Sequence, residues 1–102
     1  MYIEFRIAKL KRCYLERRER EKAWGRAVAQ KYVQAVDLLK AVDHPSHLSA
    51  FPQFDYEPLT QDRRRQHSLE LGRRAHLIFT VHEGGDALTA RIEEVNTTHY
   101  GH

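Results

Sequence analysis

Cysteine is nearly absent from this chain: Cys13 stands alone among 102 residues, so no disulfide can close within it and no cysteine-rich zinc or iron–sulfur site can form. That usage suits a reducing compartment, and a cytoplasmic location is the expectation. Long apolar runs are missing too. Nothing approaches the ~18 residues that would span a bilayer, and "MYIEFRIAKLKRC" lacks the continuous apolar segment of a signal peptide. No Gly-rich loop suits a nucleotide, so no cofactor is expected. There is no internal repeat and no low-complexity segment. Excess charge is small, 17 Lys+Arg against 14 Asp+Glu for a net +3, so any attraction to a polyanion has to come from clustering.

What remains is the ordinary material of one domain spanning 1–102, with a single core. "YIEF" alternates and is rich in strand formers, which predicts a strand over Tyr2 to Phe5. From Ile7, the residues Leu10, Tyr14 and Leu15 keep helical spacing inside a mass of Lys, Arg and Glu, as an exposed helix with a narrow apolar stripe does. Gly25 is a poor helix-interior residue and marks a joint. From Trp24 on, Trp24, Val28, Tyr32, Ala35, Leu39 and Val42 recur at intervals of three and four, the signature of a second helix lying on a sheet. "DHPSHLSAFPQFD" ends that helix in an irregular connection with Leu48 and Phe51 as plugs. Strands follow at Tyr56 to Leu59, Gln66 to Leu71, His76 to His82 and Leu88 to Val95, with "LGRR" and "EGGD" as hairpin turns. The expectation is an α+β fold, two N-terminal helices packed on a small, mainly antiparallel sheet with the first strand at an edge.

The cations gather where the strands begin. In "LTQDRRRQHSLELGRRAHLIF", Arg63, Arg64 and Arg65 precede one apolar-alternating run and Arg73 and Arg74 the next, with His67 and His76 among them. Leu69, Leu71, Leu77 and Phe79 give those strands a core face. Arginines beside such a rigid support point to a phosphate-bearing partner.

The series of motifs resembles the RelE/ParE toxin superfamily, and within it the HigB-like branch of plasmid-maintenance killer proteins. "AWGRAVAQKYVQAVDLLKAV" is similar to that branch's long helix, "EPLTQDRRRQHSLEL" to its Leu, loop, Asp-Arg and alternating strand, "HLIFTV" to its buried "RLIF" strand, and "ARIEEVNTTHYGH" to its last strand and Tyr/His tail. The resemblance implies a RelE-like microbial ribonuclease-type fold. It also implies a toxin that cuts mRNA in the ribosomal A site and is held inactive by a cognate antitoxin, of the HigA-like helix-turn-helix type. DNA is then met only through the antitoxin complex, and no membrane is involved. Other members of the superfamily poison DNA gyrase, and a degenerate homologue that binds without cutting is the third reading; one scaffold hosts all of these.

Metal-free RNA cleavage needs a base for the attacking 2′-hydroxyl, cations for the charge building on phosphorus and an acid for the leaving 5′-oxygen. By family position Arg63 is the candidate for the phosphate, where its planar fork can meet two oxygens. Arg64, Arg65, Arg73 and Arg74 are candidates for gripping the RNA backbone, set against a simple solvated loop. His76 stands where relatives carry Arg; a histidine can donate a hydrogen bond and carry a proton. Glu57 stands where the branch often has His, and an ion pair with Arg63 is its expected role. In the tail the usual acidic residue is missing, and His99, Tyr100 and His102 are the candidates for proton transfer and for stacking on a base. His67 shares the face of Leu69 and Leu71, so a half-buried, non-catalytic place is expected for it. No metal is assigned to His44 with His47 or to His99 with His102. The stripe Arg17, Arg18, Arg20, Lys22 and Arg26 is offered either to solvent or to the antitoxin.

Overall fold

The computed structural model describes residues 1–59 and 65–97. The chain runs β1 (Tyr2–Phe5), α1 (Ala8–Leu15), α2 (Arg17–Trp24) and α3 (Arg26–Ala41), then two short 3₁₀ turns (Pro45–Ala50, Pro52–Phe54). It ends in β2 (Glu57–Leu59), β3 (Gln66–Gly72), β4 (Ala75–Gly84) and β5 (Ala87–Asn96). The sheet order is β1-β5-β4-β3-β2. All neighbours are antiparallel except β1, which pairs parallel with β5 at one edge. This is the expected α+β arrangement, with the helices on one side of a mainly antiparallel sheet.

One difference concerns the first helix, which is two. Glu16 takes an extended conformation (φ −124, ψ 116) between α1 and α2. Neither Gly nor Pro marks the break. What holds it is a side chain bonding across the turn: Arg20 reaches back and donates to the carbonyls of Cys13 and Tyr14, both at 3.2 Å, meeting groups that the end of α1 leaves open. The turn frees α1 to bury Leu10 and Cys13. Tyr14 then ties it to α3 by donating to Asp37. Gly25 is the joint that its residue type suggests, with φ +81, where a side chain would be strained.

The core lies between the helices and one sheet face. Val28, Tyr32, Ala35, Val36 and Leu39 of α3 meet Leu69, Leu71, Leu77, Phe79, Ala90 and Ile92, with Leu48 and Phe54 closing one end. The rings of Trp24 and Tyr32 meet in a tilted pair with centroids 4.6 Å apart, and the Tyr32 hydroxyl donates to the Leu10 carbonyl, so the buried phenol has a partner. Among the described residues, no helix is long and apolar enough to cross a membrane.

Candidate functional site

Strand alternation leaves a second face turned away from the helices. Its side chains follow from the register. One row reads Tyr2, Thr89, His82; the next Glu4, Arg91, Thr80, Gln66, Leu59; the next Glu94, Ile78, Ser68, Glu57; the last Asn96, His76, Glu70. Ile78 and Ser68 in the middle are buried although they are not part of the helix-side core.

His76 is half-buried at one end of this face, between Glu70 of β3 and Asn96 of β5. The β3–β4 turn beside it is made by Arg73 (φ 51) and Arg74 (φ 64) after Gly72 (φ 86). A two-residue turn with both central residues left-handed favours Asn-Gly. Two arginines there carry roughly 1–2 kcal/mol of strain each. Arg65, also left-handed at φ 63, sits at the other end of β3. Its distance from the His76 row is roughly 16 Å, at ~3.3 Å per residue. The sheet therefore brings His76 together with Arg73 and Arg74, and sets Arg65 apart from them. Arg63, Arg64, His99, Tyr100 and His102 lie outside the described residues. β5 ends at Asn96, beside His76.

Glu57 is exposed on β2 opposite Ser68, on the same face. His67 points the other way, as its neighbours Leu69 and Leu71 require. Its ring stacks between Phe79 (5.0 Å) and Tyr56 (5.8 Å), and its Nδ1 shares a hydrogen bond of 2.8 Å with the Tyr56 hydroxyl. Burial pushes the His67 pKa down and that of Tyr56 up. Below an ordinary histidine value of about 6.5 the unfolded chain takes up a proton that the folded chain resists, so His67 lowers stability as pH falls through that value. The melting temperature of the wild type is expected to drop between neutral and mildly acid pH, and His67→Phe to flatten part of the drop. Parallel curves for the two proteins would show the imidazole to be irrelevant.

A polar network occupies the β1 side of the open face, and the strand patterns alone did not single it out. Where β5 pairs with β4, the register shifts between Ile78 and Phe79, leaving Glu93 as a bulge residue. Its carboxylate accepts from Thr80 (2.7 Å), its carbonyl from Arg6 Nε (2.8 Å), and Thr80 also bonds His82 (2.8 Å). The signal was present as two consecutive glutamates, Glu93 and Glu94, interrupting an alternating strand. On the helix side, a groove of about 360 Å³ is lined by Arg17, Arg20, Glu21, Arg26, Gln30 and Gln34 among others. The charged stripe of α2 thus contributes to a concave surface rather than a smooth helix flank. His44 is engaged locally, accepting from the Ser46 backbone N–H, and its ring lies 6.4 Å from that of His47.

No protein-family model matches the chain, and no curated protein does. Among solved structures it is similar to a YoeB/ParE toxin from Agrobacterium tumefaciens, at 13% identity and a TM-score of 0.57, over 94% of this chain and 97% of the other. At that identity the likeness is one of fold.

Proposed function

We propose that this chain is the toxin of a toxin–antitoxin pair and that it cuts mRNA without metal, through attack of the RNA's own 2′-hydroxyl. The observation that carries the reading is the fold, which follows that of a YoeB/ParE toxin over nearly all of both chains. Support also comes from the open sheet face, where His76 adjoins a turn whose two arginines are kept at a backbone cost. Strained backbone positions cluster at functional sites, which is the ground for assigning these two a role.

In this reading Arg63 meets the scissile phosphate. His76, with His99 or His102, holds and moves protons, and Tyr100 orients the substrate. Arg65, Arg73 and Arg74 grip the RNA backbone at the two ends of β3, and Arg64 is a further contact to it. The branch is the HigB-like one, the site of action is the ribosome, and the neutralising partner is a HigA-like antitoxin. The groove between α2 and α3, with Arg17, Arg20 and Arg26 on its walls, suits an acidic partner segment.

The name of the similar structure joins two toxin types, and a ParE-like gyrase poison is the second reading. Induction of the chain in cells separates them. Growth arrest with newly cut messages is the expected result. Arrest with intact messages and relaxed plasmid DNA supports the gyrase reading, and healthy cells with whole messages contradict both.

A further inference from the structure

The β1 corner of the open face brings an exposed tyrosine beside two arginines. Ile3 and Phe5 pack on the core, so Tyr2 and Glu4 between them face away from the helices. Tyr2 is 66% exposed, and no ring contact or hydrogen bond engages it among the described residues. One exposed tyrosine is ordinary. What lies beside it is less so.

Arg91 is in register with Glu4, one row from Tyr2. Its Nε is buried and makes no hydrogen bond among the described residues. The carboxylates of Glu4 and Glu93 stand 3.6 and 3.9 Å away, close enough to hold the guanidinium in place but beyond hydrogen-bond reach. Glu93 is instead committed to Thr80, and Arg6 adds a second cation to the same corner, 3.7 Å from Glu93. Arg91 is thus held between two carboxylates at ion-pair distance, its side chain 40% exposed and its Nε without a hydrogen bond among the described residues, and a guanidinium fork is the shape that meets a pair of phosphate oxygens. The same row continues through Thr80 to Gln66, the residue after Arg65. This corner and Arg65 therefore share one end of the sheet.

We infer that Tyr2 and Arg91, with Arg6, form a subsite for one nucleotide of single-stranded RNA, Tyr2 stacking on its base and Arg91 forking onto its phosphate. The inference rests on the proposed RNA substrate and names a part of the surface that binds it. Glu4 is the opposing element, a carboxylate beside the phosphate position. A duplex is a poor ligand because paired bases offer Tyr2 no face.

The test is binding of a labelled 2′-O-methyl RNA dodecamer, which the full-length chain cannot cut, followed across a salt series. Tyr2→Ala is expected to weaken binding by roughly 5- to 100-fold and Tyr2→Phe to keep it. Arg91→Gln should weaken binding and reduce the salt slope by about 0.7, the loss of one single-strand phosphate contact. Glu4→Gln should tighten it. Unchanged melting temperatures exclude misfolding as the cause. If the wild type binds the RNA but Tyr2→Ala and Arg91→Gln bind equally well, the subsite is overturned while the RNA reading stands. Equal affinity for the corresponding duplex also overturns the subsite. If the wild type binds no RNA, the subsite is overturned, while cutting on the ribosome is judged by the induction experiment.

Discussion

Alanine at His76 is expected to lower RNA cleavage by about 10²- to 10⁴-fold, the range over which a positioned proton-transfer group acts. The effect should fall on the rate and leave the melting temperature nearly unchanged. His76 is half-buried on the face opposite the core, and its β4 neighbours Leu77 and Phe79 hold the strand from the other side. Arginine at the same position separates two jobs. If His76 moves a proton, His76→Arg stays as slow as the alanine variant. If only a cation is needed beside the phosphate, it regains the wild-type rate or exceeds it. A large gain would mean that the chain has drifted from a more active ancestor with Arg there. A wild-type rate in His76→Ala would remove the residue from the mechanism.

The largest expected loss of stability comes from Phe79→Ala, at about 3–5 kcal/mol for a fully buried phenylalanine. Phe79 is 0% exposed, pairs with His67 on β3 and Ile92 on β5, and stacks on the His67 ring. Its removal opens a cavity in the sheet's central strand and takes a stacked neighbour from His67. Against a total stability of ~5–15 kcal/mol, such a loss is a large part of the whole. Urea unfolding is the measurement, and the midpoint should fall far below that of the wild type. A loss under about 1 kcal/mol would mean that the core repacks around the gap and that Phe79 does not anchor β4.

These two residues also show how far the sequence could be read. The alternation of "HLIFTV" put Phe79 in the core and His76 on the other face, because period two leaves no freedom once one face is apolar. Gly25, the turn in "EGGD" and the α3 stripe were legible for similarly local reasons. The break at Glu16 was not, since "LERRER" is good helix sequence and the turn is held by Arg20 bonding across it. The parallel docking of β1 on β5 joins residues far apart in the chain, and local pattern does not encode such a pairing. In the candidate site, the arginine clusters were easy to see. Their separation by the length of β3, with His76 at one end and Arg65 at the other, follows only once the hairpin register is known. The Arg91 and Glu93 network depends on a bulge that re-aims one side chain, and it became a candidate only in three dimensions.

That separation bears on mechanism. An RNA strand that engages both Arg65 and the His76 end must lie along β3 in an extended form. If His76 takes part in the reaction and the Tyr2 corner in binding alone, their variants differ in kind: His76→Ala slows cutting with binding retained, and Tyr2→Ala weakens binding.

The measurement that reaches the central claim most directly is the chemistry of new RNA ends in cells induced for this chain. Attack by the 2′-hydroxyl forms a bond to phosphorus as the bond to the 5′-oxygen breaks. Cut messages should therefore carry a 5′-hydroxyl on one fragment and a 2′,3′-cyclic phosphate on the other. New ends of that kind, absent on induction of His76→Ala, are the predicted result; growth arrest with every message intact, or fragments bearing 5′-phosphates, would contradict it.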